Sequence, residues 1–212
     1  VFTRLPIPGF ASAAQPPSLA EFADRLAKIP LIAEPGTRWS YSLGLDLLGR
    51  VIEVASGQAF DQFLAERIFK PLNMKSSFFQ VPDSELHRLT TTYSPLGQIS
   101  LPVDPAASSV FRDKPSVIYG GSGLVSSARD YDRFLMMLLG EGAIGDVRIL
   151  RPETARLAMS NLIDDNVKRS GTFIDGAGFG AGGRVSMAGS REGEGVYGWS
   201  GAAGTIAFVD RR

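Results

Sequence analysis

Residues 34–50 read EPGTRWSYSLGLDLLGR, and the position of one tyrosine in this stretch decides how the rest of the chain is read. Pro35-Gly36 breaks whatever precedes it, and Trp39 and Tyr41 follow among serines that favour turns and caps. A helical pattern then begins, with Leu45, Leu48, Ile52 and Ala55 as its apolar stripe and Gly57 where a C-terminal cap belongs. Tyr41 therefore lies at the mouth of a helix and off its buried stripe. A free phenol, with a pKa of about 10, is a poor base at neutral pH. At a helix N-terminus beside an ammonium group its anion is favoured by both fields, so it could take a proton from a hydroxyl and pass it on. Spacing alone equally fits an amphipathic ring that merely packs at a helix start.

Outward from this stretch the chain reads as helices followed by strands. Ser18 and Glu21 have capping-box spacing, and Leu19, Phe22, Leu26 and Ile29 continue as a helix that Pro30 stops. Residues 1–17, rich in proline and small side chains, read as an extended loop. After Gly57, the positions Phe60, Phe63, Leu64 and Ile68 predict a helix ended by Pro71. Residues 74–121 carry prolines at 82, 95, 102, 105 and 115 and read as a long irregular segment, of the kind that often forms a wall or lid. Ser127 with Asp130 repeats the capping logic ahead of Phe134, Leu135, Leu138 and Leu139. Pro152 opens a short helix in its first turn. From Gly176 onward, GAGFGAGGRVSM, GVYGWSG and GTIAFVD predict three strands joined by glycine-rich turns. The layout is α+β: a mainly helical part over 1–175 and antiparallel strands over 176–212.

Bulk composition removes several functions. A length of 212 residues suits one domain with a substantial core. Lys plus Arg and Asp plus Glu both number 22, with no basic block, so nucleic acid is not an expected partner. No cysteine is present and His87 is the only histidine, which excludes thiolate nucleophiles, disulfides and multi-histidine metal sites. No cofactor or metal is implied, and no apolar run reaches membrane-spanning length. The opening VFTRLPIPGF carries no signal-peptide pattern, which leans toward the cytoplasm over the periplasm.

Acyl transfer needs a nucleophile, a proton acceptor and donors aimed at an oxyanion. The G-x-S-x-G elbow is missing, since GGSGL around Ser122 and GWSGA around Ser200 both fail at the last position. His87, beside Arg88 in the irregular segment, reads as a solvated polar residue rather than a triad base. The pairs Asp164 and Asp165, and Asp130 and Asp132, read as surface charge. GAGFGAGG at 176–183 lacks the preceding strand, following helix and later acid of a dinucleotide site, so its glycines are expected to serve close strand crossings.

Three segments occur in an informative order: residues 34–79, containing PGT-x-x-x-Y-S and IFKPLNM; GGSGLVSSARDYDRFLMMLLGEG at 120–142; and YGWSGAAGTIAFVD at 197–210. Together they resemble the serine β-lactamase and penicillin-binding protein superfamily, in the branch holding class C β-lactamases and the family VIII carboxylesterases. The resemblance implies a β-lactamase/transpeptidase-like fold, incomplete here at both ends. The family's Tyr-x-Asn motif falls on Tyr41-Ser42-Leu43 and its Lys-Thr-Gly strand motif on Trp199-Ser200-Gly201. Leu43 stands where an amide would meet a lactam side chain, and Trp199 where a lysine would meet a carboxylate. The tryptophan-led triplet looks like the esterase branch, an apolar wall in place of a charge anchor that suits neutral esters.

By the same resemblance, Tyr41 is the catalytic proton carrier and the backbone N–H of Ala202 is one oxyanion donor. Trp199, Ser200, Gly201 and Leu43 are the substrate-binding positions. The third motif, Ser-x-x-Lys, occurs nowhere in the 212 residues; Ser109 with Arg112 and Ser126 with Arg129 come nearest, and arginine stays protonated. The expectation is a partial chain of a longer serine hydrolase acting on a small-molecule ester or amide, inactive without an upstream segment carrying Ser-x-x-Lys. The alternatives are a β-lactamase or D-alanyl-D-alanine carboxypeptidase, and a non-catalytic binding or scaffold member of the fold. The sequence leaves the oligomeric state open.

Overall fold

The computed structural model describes residues 18–41 and 43–212, so the loop expected over 1–17 and Ser42 lie outside the described residues. Helix α1 (Leu19–Leu26) starts as its capping box dictates: the Glu21 N–H donates to Ser18 Oγ at 3.2 Å. It buries Leu19 and Phe22 but ends before Ile29, which is exposed. Helix α2 (Gly44–Ser56) stops at Gly57, whose φ of 70° places it in the left-handed region.

The buried face of α2 is not the stripe expected from apolar spacing. Leu45, Leu48 and Ala55 are exposed, and Ile52 alone of that set is half-buried against the core. The buried positions are Asp46 and Gly49. The cause is close packing: a Cβ on Gly49 would sit 3.3 Å from Leu19 Cδ1 and 3.4 Å from Phe60 Cδ1. Segment 119–121 presses on the same helix, and a Cβ on Gly120 would lie 2.1 Å from the Leu45 carbonyl oxygen. Asp46 Oδ1 accepts the Gly121 N–H at 2.9 Å and fixes this approach. The outer apolar face, with Leu47, Leu48, Val51 and Val54, meets nothing that covers it among the described residues.

Helix α3 (Phe60–Leu64) runs into a π-helical turn at Ala65–Phe69, closed by the Lys70 N–H donating to the Ala65 carbonyl. The segment expected to be irregular holds a hairpin, β1 (Thr92–Leu96) and β2 (Ile99–Asp104), with short 3-10 turns around it. Pro95 and Pro102 inside the strands conceal that pattern in the sequence, and the isolated two-stranded ladder tolerates them because each strand has a free edge. Helix α4 (Ala128–Leu139) is capped by Ser127 Oγ, which accepts the Asp130 N–H at 3.1 Å. A small hairpin, β3 (Ala143–Ile144) with β4 (Val147–Arg148), leads to α5 (Pro152–Ala158).

The C-terminal sheet has four antiparallel strands in chain order: β5 (Gly178–Phe179), β6 (Arg184–Val185), β7 (Tyr197–Ser200) and β8 (Ile206–Val209). The first of the three expected strands is thus two, because Gly182 (φ 85°) turns the chain and the Gly180 N–H bonds the Gly183 carbonyl at 2.8 Å. Val209, paired to Tyr197, enters a core with Leu72, Met74, Met137, Leu138 and Met159, against which Tyr197 also packs. Leu19, Phe60 and Val117 form a second cluster.

Burial raises the Asp46 carboxyl above the usual carboxylate range, and the Gly121 hydrogen bond only partly offsets this. A folded-state pKa above the unfolded one means that ionisation costs stability: the group stabilises most below its unfolded pKa, and that contribution is lost as pH rises through the folded value. Asp46→Asn should therefore gain stability relative to the wild type between about pH 4 and pH 7. Asp46→Ala should lose about 1–3 kcal/mol by leaving the Gly121 N–H without an acceptor. Urea unfolding of the intact protein at both pH values checks the pair.

Candidate active site

The segment carrying Tyr41 is shaped first by a turn. Thr37 N–H and Oγ1 both donate to the Glu34 carbonyl, at 3.2 and 2.7 Å, and Gly36 takes a φ of 78° between them. The chain then clasps a distant loop: the Lys168 N–H donates to the Thr37 carbonyl and the Trp39 N–H to the Lys168 carbonyl, both at 2.9 Å. Beyond the clasp, side chains take over. Trp39 meets Phe179 of β5 edge-on at 5.3 Å and tilts against Trp199 of β7 at 6.4 Å. Phe179 and Trp199 meet edge-on at 5.7 Å.

Tyr41 completes the cluster. Its ring stacks on Trp199 with centroids 5.9 Å apart and planes only 11° apart, while Phe173 meets it edge-on at 5.2 Å. It is 62% exposed. The positive end of the α2 dipole lies on the tyrosine's side, since Gly44 opens the helix three residues on. Tyr131 and Tyr197 have a different environment. Burial pushes Tyr131 upward and Tyr197 up to about 12, with the Tyr131 charge a second cause for Tyr197, whose hydroxyl donates to the Ala181 carbonyl at 2.6 Å. Those two phenols resist ionisation.

The remaining expected positions extend from Trp199. Ser200, Gly201 and Ala202 are exposed, in a turn closed by the Gly201 N–H to the Thr205 carbonyl at 2.7 Å and the Gly204 N–H to the Gly201 carbonyl at 3.0 Å. The Ala202 N–H makes no hydrogen bond to any described residue. Leu43 caps α2 through its carbonyl, which accepts the Leu47 N–H at 3.1 Å, and its side chain is half-buried.

His87 is exposed in a 3-10 turn, and Asp164 and Asp165 are exposed. Asp130 departs from the expected surface charge: it is 5% exposed and accepts the Ser76 N–H at 2.6 Å and the Ser77 hydroxyl at 3.0 Å, a structural tie. Phe173 and Phe179 were not anticipated. A phenylalanine among glycines on a short strand was the available signal for Phe179, whereas nothing local marks Phe173.

Comparison with known proteins bears on the family and the fold. A family profile described as Beta-lactamase matches residues 4–212. Protein Rv1367c of Mycobacterium tuberculosis (strain ATCC 25618 / H37Rv) is 35% identical over 191 residues, covering 85% of this chain and 47% of the relative. Esterase EstB of Burkholderia gladioli is 31% identical over 213 residues, covering 91% and 52%. Among solved structures, EstCE1, described as a hydrolase with promiscuous acyltransferase activity, aligns with a TM-score of 0.77 at 26% identity, covering 96% of this chain and 55% of that one. The chain spans about half the length of the curated relatives it matches. With a profile match that leaves out only its first three residues and a fold shared with these relatives, the chain belongs to the Beta-lactamase family and has the β-lactamase/transpeptidase-like fold.

Proposed function

We propose that this chain is the tyrosine-bearing part of a carboxylic ester hydrolase that works through an acyl-enzyme. The observation that carries the proposal is the exposed Tyr41 ring stacked flat on Trp199. Membership of the family supports an enzyme of the hydrolase type, and the esterase among its relatives supports ester substrates. No serine in the 212 residues is followed by lysine at the third position, so the nucleophile belongs to a segment outside them. Coverage of only about half of each relative is in keeping with that.

In this mechanism a serine attacks the ester carbonyl, giving its proton to Tyr41, whose phenolate is held by the lysine of Ser-x-x-Lys. Tyr41 then protonates the departing alkoxide, the C–O bond breaks, and the acyl group remains on the serine. In the second step Tyr41 takes a proton from water, the hydroxide attacks the acyl carbon, and the acid leaves as the serine recovers its proton. The tetrahedral oxyanion of each step lies between the serine N–H and the Ala202 N–H; one such donor contributes about 3–4 kcal/mol. Trp199 and Leu43, standing where the family's lactamases carry lysine and asparagine, offer apolar surface in place of a charge anchor.

Tyr41→Phe keeps the ring stack and removes the proton carrier. In the full-length protein it should lower turnover of a short p-nitrophenyl ester by roughly 10²–10⁴-fold; near-wild-type turnover would remove Tyr41 from the mechanism. Residues 1–212 alone, treated with a serine-directed phosphonate, should keep their mass, and a stoichiometric adduct would place the nucleophile inside them. A neutral ester should be hydrolysed faster than nitrocefin; the reverse order would make the protein a lactamase.

A further inference from the structure

The loop between α5 and β5 uses its hydrogen bonds to hold one turn. Lys168 is clasped to Thr37 and Trp39, Thr172 Oγ1 donates to the Arg169 carbonyl at 2.5 Å, and the Gly171 N–H donates to Asp175 Oδ2 at 3.0 Å. The Arg169 guanidinium reaches across to the Ala177 carbonyl at 3.3 Å. Ile174 is fully buried, yet its neighbour Phe173 is 73% exposed. An apolar ring that serves packing is normally buried. This one is pinned by the residue beside it and presented edge-on to Tyr41 at 5.2 Å.

We propose that Phe173 determines specificity: with Tyr41 and Trp199 it walls a subsite for a planar aromatic group of a neutral ester. The inference rests on the ester-hydrolase reading of Tyr41. The rings of the cluster carry no charge of their own, and the Arg169 guanidinium of the same loop is engaged by the Ala177 carbonyl and by Asp165. Rings attract one another edge-to-face or offset-stacked; Tyr41 already meets Phe173 and Trp199 in these two ways, and the exposed remainder of the Phe173 ring is the surface left for an aryl group. That group can belong to the acid or to the alcohol of the ester, and the contact chemistry is the same.

The test compares full-length wild type with Phe173→Ala and Phe173→Leu on methyl acetate, methyl phenylacetate and benzyl acetate, followed by proton release. Turnover of methyl acetate should stay within about twofold, while kcat/KM for an aryl ester falls roughly tenfold or more, carried by KM, with leucine intermediate. A loss on methyl phenylacetate assigns the acid side, and a loss on benzyl acetate the alcohol side. Equal losses on all three esters would overturn the proposal, since Phe173 would then only position Tyr41; unchanged kinetics would overturn it too. A second readout needs no turnover: binding of 4-phenyl-2-butanone, followed by tryptophan fluorescence, should weaken about fivefold in Phe173→Ala, and an unchanged Kd overturns the subsite. Weakened ketone binding in a protein that hydrolyses no ester would keep the subsite and remove the esterase reading.

Discussion

The structure around the candidate site depends on the Trp39 ring, packed against Phe179 and Trp199. Residues 37–41 lie outside any helix or named strand, and among the described residues their long-range backbone hydrogen bonds go to Lys168. Each backbone hydrogen bond of the clasp contributes about 0.5–1.5 kcal/mol net. Each aromatic pair adds a similar amount beyond the area it buries, about 0.5–1.5 kcal/mol, and also sets the orientation. The rings are therefore at least as important as the clasp. With Trp39 seated, only residues 40–43 separate it from the start of α2, and the Tyr41 ring stacks on Trp199.

The sheet links this cluster to the helical core. Side chains on a strand alternate, so Tyr197 and Trp199 share one face of β7. Tyr197 packs into the cluster of Met137, Leu138 and Val209, and Trp199 reaches the rings. Tyr197, half-buried against the core, resists ionisation, while the Tyr41 and Phe173 rings are exposed. Asp46 adds a second tie just beyond the tyrosine, holding α2 against the glycine pair at 120–121 through the Gly121 N–H.

Much of the helical part was legible because its signals are local. Ser18 and Ser127 both accept the N–H three residues on, as capping boxes require, and Gly57 closes α2. Prolines in β1 and β2 hid a hairpin whose strands need only one paired edge. The stripe on α2 misled for a different reason. Apolar spacing marks a face able to be buried, but the neighbours choose the face, and here α1, α3 and segment 119–121 approach along Gly49 and Asp46. Asp130 was misread as surface charge because its partners, Ser76 and Ser77, lie far away in the chain.

By itself the sequence determined most of the helices and the strand character of the C-terminal part, the family resemblance, and the two positions, Tyr41 and Trp199, of the candidate site. Caps, turns and short motifs depend on groups within a few residues of one another, so their physics is written in the local string. Tertiary structure alone decided that these two rings stack, that Trp39 and Phe179 support them, and that Phe173 stands beside the phenol. Which rings meet is settled by the clasp at Lys168 and the register of β7 with β8, constraints that join remote parts of the chain and that no local pattern encodes.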